Sequence, residues 1–298
     1  MSPVIWTDDT PVTVLGGKAG GSTKGRFWVY IGHALFPYDV YDFTEDRKRT
    51  GPSRFLAGYA GYLQADAFTG YDGIFTGSEG RILEVACWAH ARRKFYEARS
   101  SAPAEASLLL KMIARLYEVE DRCRPLDDAG RMAPRQLEAA PILERIHREL
   151  ARLSTDLPPK SALAQAVTYA LNQWEALCRY TRDGRLAIDN NVSERRLRDQ
   201  AIGRKNWMFL GSSGAGPRAA VICTVIAGAK RHRIEPWAYL NDVILQLAVD
   251  ASPESLDRLL PDRWAAAHPE HVLTHRLEES RQKARRRDER RARRVRSP

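Results

Sequence analysis

The sequence predicts an α/β protein in which a mixed-sheet core is interrupted by a large all-α insertion and followed by a helical C-terminal region. Three observations carry this expectation. Short β-prone runs bounded by turn residues crowd the chain up to Ala86. Apolar residues at helical spacing fill the stretch from Glu97 to Arg182. A polar, basic segment then leads into renewed helical periodicity. The expected divisions are 1–96 for the first part of the core, 97–184 for the insertion and 185–250 for the second part of the core. A helical extension over 251–277 and a disordered basic tail over 278–298 follow.

Val4, Ile5 and Trp6 open a strand that is expected to end at Thr7-Asp8-Asp9, break at Thr10-Pro11 and resume from Val12 to Leu15. On the residues alone Asp8 reads more readily as a turn residue than as a carboxylate presented at a strand end. Gly16 to Gly25 is a loop without the spacing of a phosphate-binding loop. Arg26 to Gly32 and Val40 to Phe43 are strands, so the opening is an antiparallel meander. Pro52 to Tyr62 holds a short helix or crossover. Gly61 to Asp66 is a further strand ending on an acid, and Asp72 in GYDG is a turn residue. Ile82 to Ala86 is the last strand expected, ahead of the basic helix that begins at Ala91.

In the insertion, Leu109, Ile113 and Leu116 share a face. So do Leu143, Ile146, Leu150 and Leu153, and then Leu163, Val167, Ala170, Trp174 and Leu177. These stripes read as core. Leu157-Pro158-Pro159 separates the last two helices. Val221 to Ala229 is expected to be a buried helix. Pro236 opens another, with Tyr239, Leu240, Val243, Ile244 and Leu247 inward.

Charge is distributed unevenly. The net charge is +10, yet Arg276 to Arg296 alone contributes eleven Lys/Arg against Glu278, Glu279, Asp288 and Glu289, a net of +7 that leaves +3 for the rest. Such a tail is expected to be disordered alone, or helical on a polyanion, most simply nucleic acid. The four cysteines are far apart and form no CxxC pair, which excludes a disulfide framework and a four-cysteine zinc site. Cys87 and His90 supply half a zinc site with no second pair nearby. The longest apolar run, Val221 to Ala229, is far short of the roughly 20 residues of a membrane helix. The N-terminus has no signal core, so a soluble, cytoplasmic chain is expected.

Leu186 to Gly216, LAIDNNVSERRLRDQAIGRKNWMFLGSSGAG, is the stretch on which the functional reading turns. Asn191 followed by Glu194 three residues on reads as a capping-box variant that starts a helix near Val192. Glu194 is then either a cap paired with Arg198 or a metal ligand among cations. Asp189 is the next acid in line should Glu194 only cap. Arg204-Lys205-Asn206-Trp207 sets two cations beside an aromatic, which suits a DNA backbone or a splayed base, or else forms a loop packed on the core.

DNNVSERRLR followed by GRKNWMFLGS resembles the catalytic signature of bacterial insertion-sequence transposases of the 66 family. WTDDTPVTVL, LQADAFTGYDGIF and VACWAHARRKF match the same family, in order, over about residues 4 to 260. The resemblance implies an RNase H-like core of the DDE type, with Asp8, Asp66 and Glu194 as catalytic residues and metal ligands. Asp9 stands where the family usually has Glu. Neighbouring first and fourth strands would bring Asp8 and Asp66 together, where they repel unless a cation intervenes. Two Mg2+ or Mn2+ ions suit such oxygen ligands. The implied partner is DNA, both transposon ends and target, bound by a homo-oligomer. His90, Arg92, Arg93, Arg195, Arg198, Arg204, Lys205, Asn206 and Trp207 are the implied DNA-side groups. The implied activity is strand cleavage by water and then transfer by a 3′-hydroxyl. Full members of the family carry an N-terminal DNA-recognition region ahead of the first catalytic strand, and this chain begins almost at that strand. The alternative is therefore a truncated, non-catalytic DNA-binding remnant or regulator of transposition. An RNase H or other nuclease would share the fold but not the DNNVSERRLR and RKNW segments.

Overall fold

A computed structural model describes residues 1–16, 21–66 and 69–296. It is an α/β structure built on a mixed sheet, and its chain divides into two compact units, 1–36 with 41–217 and 37–40 with 218–298. The division falls at 217/218, inside a helix, and the helical insertion belongs to the same unit as the sheet.

β1 (Val4–Leu15), β2 (Ser22–Gly32), β3 (Asp39–Thr44), β4 (Gly61–Gln64) and β5 (Ile82–Val85) form a sheet of order β3-β2-β1-β4-β5. A two-residue strand, β6 (Phe209–Leu210), pairs with the far end of β1. It is too short to show a period and was missed by the sequence reading. β1 runs antiparallel to β2 from Ile5 to Leu15 and parallel to β4 only over Val4, Ile5 and Trp6.

Contrary to expectation, β1 does not break at Thr10-Pro11. On the side away from β2, β4 has already ended and β6 has not begun at this point. Proline costs no ladder bond where its missing N–H faces an unpaired stretch, so the strand runs through. α1 (Thr50–Phe55) links β3 to β4, and Asp72 opens α2 (Asp72–Gly77) instead of sitting in a turn. Trp28, Tyr59, Leu63, Tyr71 and Ile82 pack these elements against one face of the sheet.

α3 (Trp88–Ala98) leads into the insertion: α4 (Pro103–Cys123), α5 (Met132–Pro134), a short π turn (Arg135–Ala139), α6 (Ala140–Asp156), α7 (Ala162–Asn172) and α8 (Trp174–Cys178). The leucine and isoleucine stripes are buried as the spacing predicts. Among them sits a group that the sequence did not flag. Arg135 is 1% exposed and uses all five of its N–H donors. Two go to the Glu120 carboxylate at 2.8 Å each, and three to the carbonyls of Tyr180 (2.8 Å), Asp183 (3.0 Å) and Leu186 (2.9 Å). The insertion is thereby tied to the segment that re-enters the core.

α9 (Asn191–Trp207) packs on β1 and β2. It starts one residue before the expected Val192. It also takes in Arg204-Lys205-Asn206-Trp207 as its last turn, where a loop was one reading.

In the second unit, α10 (Ala215–His232), α11 (Pro236–Val249), α12 (Pro253–Arg258), α13 (Pro261–Ala267) and α14 (Thr274–Arg296) follow. Ile234, Tyr239, Val243, Leu259 and Trp264 form its core. α10 is not the buried helix expected, since Val221 and Ile222 are 63% and 54% exposed. In α11, Ile244 and Leu247 face solvent with only Tyr239 and Val243 buried. A small unit offers one side of the helix for burial, and i+4 spacing alone does not say which. The stretch read as a disordered tail from 278 is helical in α14, in keeping with the strong helix propensity of Arg, Lys, Glu, Gln and Ala.

Arg135→Ala leaves Glu120 and three buried carbonyls without their donor. It is expected to cost about 3–5 kcal/mol in urea unfolding. Arg135→Lys should not rescue, because a single ammonium cannot reproduce the fork. Equal stability of wild type and Arg135→Ala would show that the anchor is inert.

Candidate active site

Parallel pairing of β1 with β4 puts Trp6 level with Gln64, so Asp8 and Asp66 stand two residues beyond the last pair on neighbouring strands. From Thr7 to Val12, β1 has no strand on this side. Two fully buried amides organise the gap. Gln64 accepts from the Trp6 indole (2.8 Å) and the Ala187 amide (3.2 Å), and donates to the carbonyls of Ala187 (2.6 Å) and Asp189 (3.4 Å). Asn190 donates through Nδ2 to the Thr7 carbonyl (2.9 Å), an orphan of the sheet ladder. Its Oδ1 accepts from Ser193 Oγ at 2.9 Å, and its backbone N–H donates to Cys87 Sγ at 3.2 Å. The N-terminus of α9, with Glu194 in its first turn, is thus held against β1 beside Asp8.

Glu194 does not form the expected capping box. Asp189 caps the helix instead, accepting from the Asn191 backbone N–H (3.2 Å) and from Asn191 Nδ2 (2.6 Å). Glu194 is exposed, and among the described residues no ion pair joins it to Arg198. Neither part of the cap-and-pair reading of Glu194 is found.

The carboxylates share one electrostatic field. Burial, then the charge of Asp66, and then the charges of Asp9 and Glu194 push Asp8 up to about 7, against the opposing hydrogen bond from the Asp9 N–H at 2.7 Å. Asp9 is differently placed. Its carboxylate is 2% exposed and is gripped by Arg26 at 2.9 Å and by Arg47 at 2.8 Å. Arg47 also lies 3.9 Å from Asp66. Among the described residues, no three His, Cys, Asp or Glu side chains are gathered closely enough to hold a metal ion as they stand. Hard carboxylate oxygens that repel one another are nevertheless the donor set a divalent cation takes.

Of the cations singled out in the sequence, Arg92 and Arg93 are exposed on α3 and line a cleft of about 940 Å3 together with Tyr96, Asp189 and Glu194. His90 is half-buried, and its Nδ1 has no hydrogen-bond partner among the described residues. Arg195 and Arg198 are exposed on α9. Arg204 donates to the Pro11 carbonyl of β1. Lys205, Asn206 and Trp207 are exposed, but thirteen residues of helix, roughly 20 Å, separate Trp207 from Glu194. The structure therefore groups Arg92 and Arg93 with the acids and sets the RKNW turn apart. Cys87 serves as an acceptor for Asn190, and burial pushes its thiol up to about 11. Gln64 and Asn190 were missed as organising residues, although a Gln and an Asn at a strand end and before a helix were visible signals.

Residues 1–218 match the family model described as Transposase IS66 family. The chain is similar to three uncharacterized proteins of Sinorhizobium fredii. It is 33% identical to y4hP over 287 residues, which is 89% of this chain and 51% of that protein. It is 32% identical to y4qI over 273 residues, 86% of this chain and 50% of that protein. The third, y4jD, is 34% identical over 232 residues, 76% of this chain and 45% of that protein. The chain spans about half the length of the curated relatives it matches.

The raised Asp8 carboxyl has a stability consequence in metal-free protein. Below pH ~4 Asp8 is protonated in both states. Between pH ~4 and 7 the unfolded chain ionises while the folded one resists, so stability falls, and above about 7 the loss is complete. Urea unfolding from pH 4 to 8 should fall on the order of 2–4 kcal/mol further in wild type than in Asp8→Asn. Parallel profiles would rule out the crowding of carboxylates.

Proposed function

The chain belongs to the IS66 family of transposases, and on that premise we propose that its mixed sheet is an RNase H-like core whose Asp8, Asp66 and Glu194 serve phosphoryl transfer on DNA. The observation that carries this reading is the common field of the three acids, which come from a strand, a strand-end loop and a helix distant in sequence. The sheet order, with β1 between β2 and β4, supports it.

The three carboxylates would hold two Mg2+ or Mn2+ ions, which supply activation of the attacking water or 3′-hydroxyl and stabilisation of the leaving oxygen. The chain's own residues divide the remaining work. β1 carries Asp8 where it is paired with β2 on one side and open on the other. Gln64 and Asn190 hold the segments bearing Asp66 and Glu194 against it. Glu194 stands exposed in the first turn of α9. Arg92 and Arg93 offset phosphate charge across the cleft it lines. Arg195 and Arg198 add to the DNA-side charge and His90 offers its ring for hydrogen bonding, with Arg204, Lys205, Asn206 and Trp207 touching DNA further out. We assign transposon ends and target DNA as substrates, handled by more than one copy of the chain, and the cytoplasm as the compartment. Among the described residues no helix is long and apolar enough to cross a membrane.

A second reading, a DNA-binding regulator that does not cut, draws on the exposure of Glu194 and on acids that are not gathered into a metal cage.

Glu194→Gln decides between them. It keeps the side-chain shape but removes the charge a divalent ion needs. On the catalytic reading it abolishes Mg2+- or Mn2+-dependent cleavage and strand transfer, as Asp66→Asn should also do. Metal-free stability is expected to stay within about 0.5 kcal/mol of wild type or to rise. Cleavage by the Gln variant at the wild-type rate removes Glu194 from the site. The basic end of α14 is tested separately. Deleting residues 278–298 should flatten the dependence of log affinity for non-specific DNA on log salt, because fewer counterions are released. An unchanged slope would mean that this helix does not meet DNA.

A further inference from the structure

We propose that Arg47 is a built-in counter-cation of the carboxylate site: it steadies Asp66 in the absence of metal and its charge weakens the site's affinity for a divalent ion. The inference rests on the reading that Asp8 and Asp66 are metal ligands.

The geometry begins in β1. Consecutive strand residues point to opposite faces, so Asp8 and Asp9 carry their charges to different sides of the sheet. Asp9 is almost wholly buried and needs one cation to offset its charge. Arg26 provides it, with Nη1 at 2.9 Å from Oδ2. Arg47 is therefore a second cation on the same carboxylate, with Nε at 2.9 Å and Nη2 at 2.8 Å from Oδ1. Two positive charges thus meet one negative charge at Asp9, and the same Nη2 stands 3.9 Å from Asp66 Oδ2. That separation is an ion pair without a hydrogen bond, so the contact with Asp66 is the weaker of the two and the more easily given up.

Burial works against the Arg47 charge, and the hydrogen bond to Asp9 together with the charges of Asp9, Asp66 and Asp8 more than offsets it. The guanidinium thus answers both acids of the site, from a position that is 37% exposed against 2% for Asp9. A divalent ion between Asp8 and Asp66 would be repelled by it. Two charges against one at about 6 Å correspond to roughly a ten-fold change in affinity at the dielectric constant of bulk water.

The test is a titration with Mn2+ alone, followed by loss of the free-ion electron paramagnetic resonance signal, on wild type, Arg47→Gln, Arg47→Lys and Asp66→Asn. Arg47→Gln keeps a donor for Asp9 but not the charge, and should bind Mn2+ about ten-fold more tightly than wild type. Arg47→Lys keeps the charge and should stay close to wild type. Binding that depends on Asp66 but is equal or weaker in Arg47→Gln overturns the inference and leaves the metal site standing. Binding that is the same in Asp66→Asn overturns both. A second measurement needs no Arg47 variant. Phenylglyoxal modification of Arg47, followed by mass spectrometry, should quicken when Mn2+ is added to wild type and not when it is added to Asp66→Asn. No response in wild type overturns the inference even if the Gln variant fails to fold.

Discussion

The site depends on a gap. β1 is paired with β2 from Ile5 to Leu15, but on its other side β4 and β6 leave Thr7 to Val12 without a strand. Unpaired strand backbone inside a protein has to be satisfied by other means. Here a buried side-chain amide does it, Asn190 on the Thr7 carbonyl, while a second, Gln64, ties the Trp6 indole to the Ala187 backbone. Because those amides belong to the α9 entry and to β4, their bonds also deliver the helix and the Asp66 loop to the place where Asp8 stands. A strand in the gap would satisfy the backbone equally well and would shut Glu194 out.

The same place concentrates negative charge. Asp8, Asp9 and Asp66 lie within a few residues' reach of two sheet strands, and Glu194 is added from a helix. The protein treats the acids unequally. Asp9 is neutralised twice over by Arg26 and Arg47, so it is a structural ion pair in a position where its neighbour is left short of a cation. Asp8 bears the imbalance as a strongly raised pKa. Such an uneven allocation costs stability in the folded chain.

The insertion also has a part in this. Arg135 joins Glu120 of α4 to the carbonyls of Tyr180, Asp183 and Leu186, the last just four residues ahead of Asn190. The helices are thus fastened to the segment that carries the helix start, and Asp189, which caps α9, faces the cleft that α3 and α4 line. A long interruption between the second Asp and the Glu leaves their register intact because its return is pinned by directional bonds to backbone, which an apolar contact would not specify.

The amino-acid sequence by itself determined the α/β class, the strands at Arg26–Gly32 and Ile82–Val85, the buried stripes of the insertion and the order of the acidic and basic motifs. Periodicity and turn chemistry are local, and these features are local. It also marked Asp8, Asp66 and Glu194, because four motifs in order resemble one family and that family model covers residues 1–218. Tertiary structure decided the rest. Proline at 11 was compatible with the strand only because the facing side of β1 is empty there. Asp189 displaced Glu194 as cap because only the folded loop shows which carboxylate meets the Asn191 N–H. The exposed faces of α10 and α11 depended on how much neighbouring surface their unit offers, and an apolar stripe does not encode that. Arg26, Arg47, Gln64, Asn190 and Arg135 are ordinary polar residues in the sequence. Their roles come from partners tens to more than a hundred positions away, which no window along the chain contains.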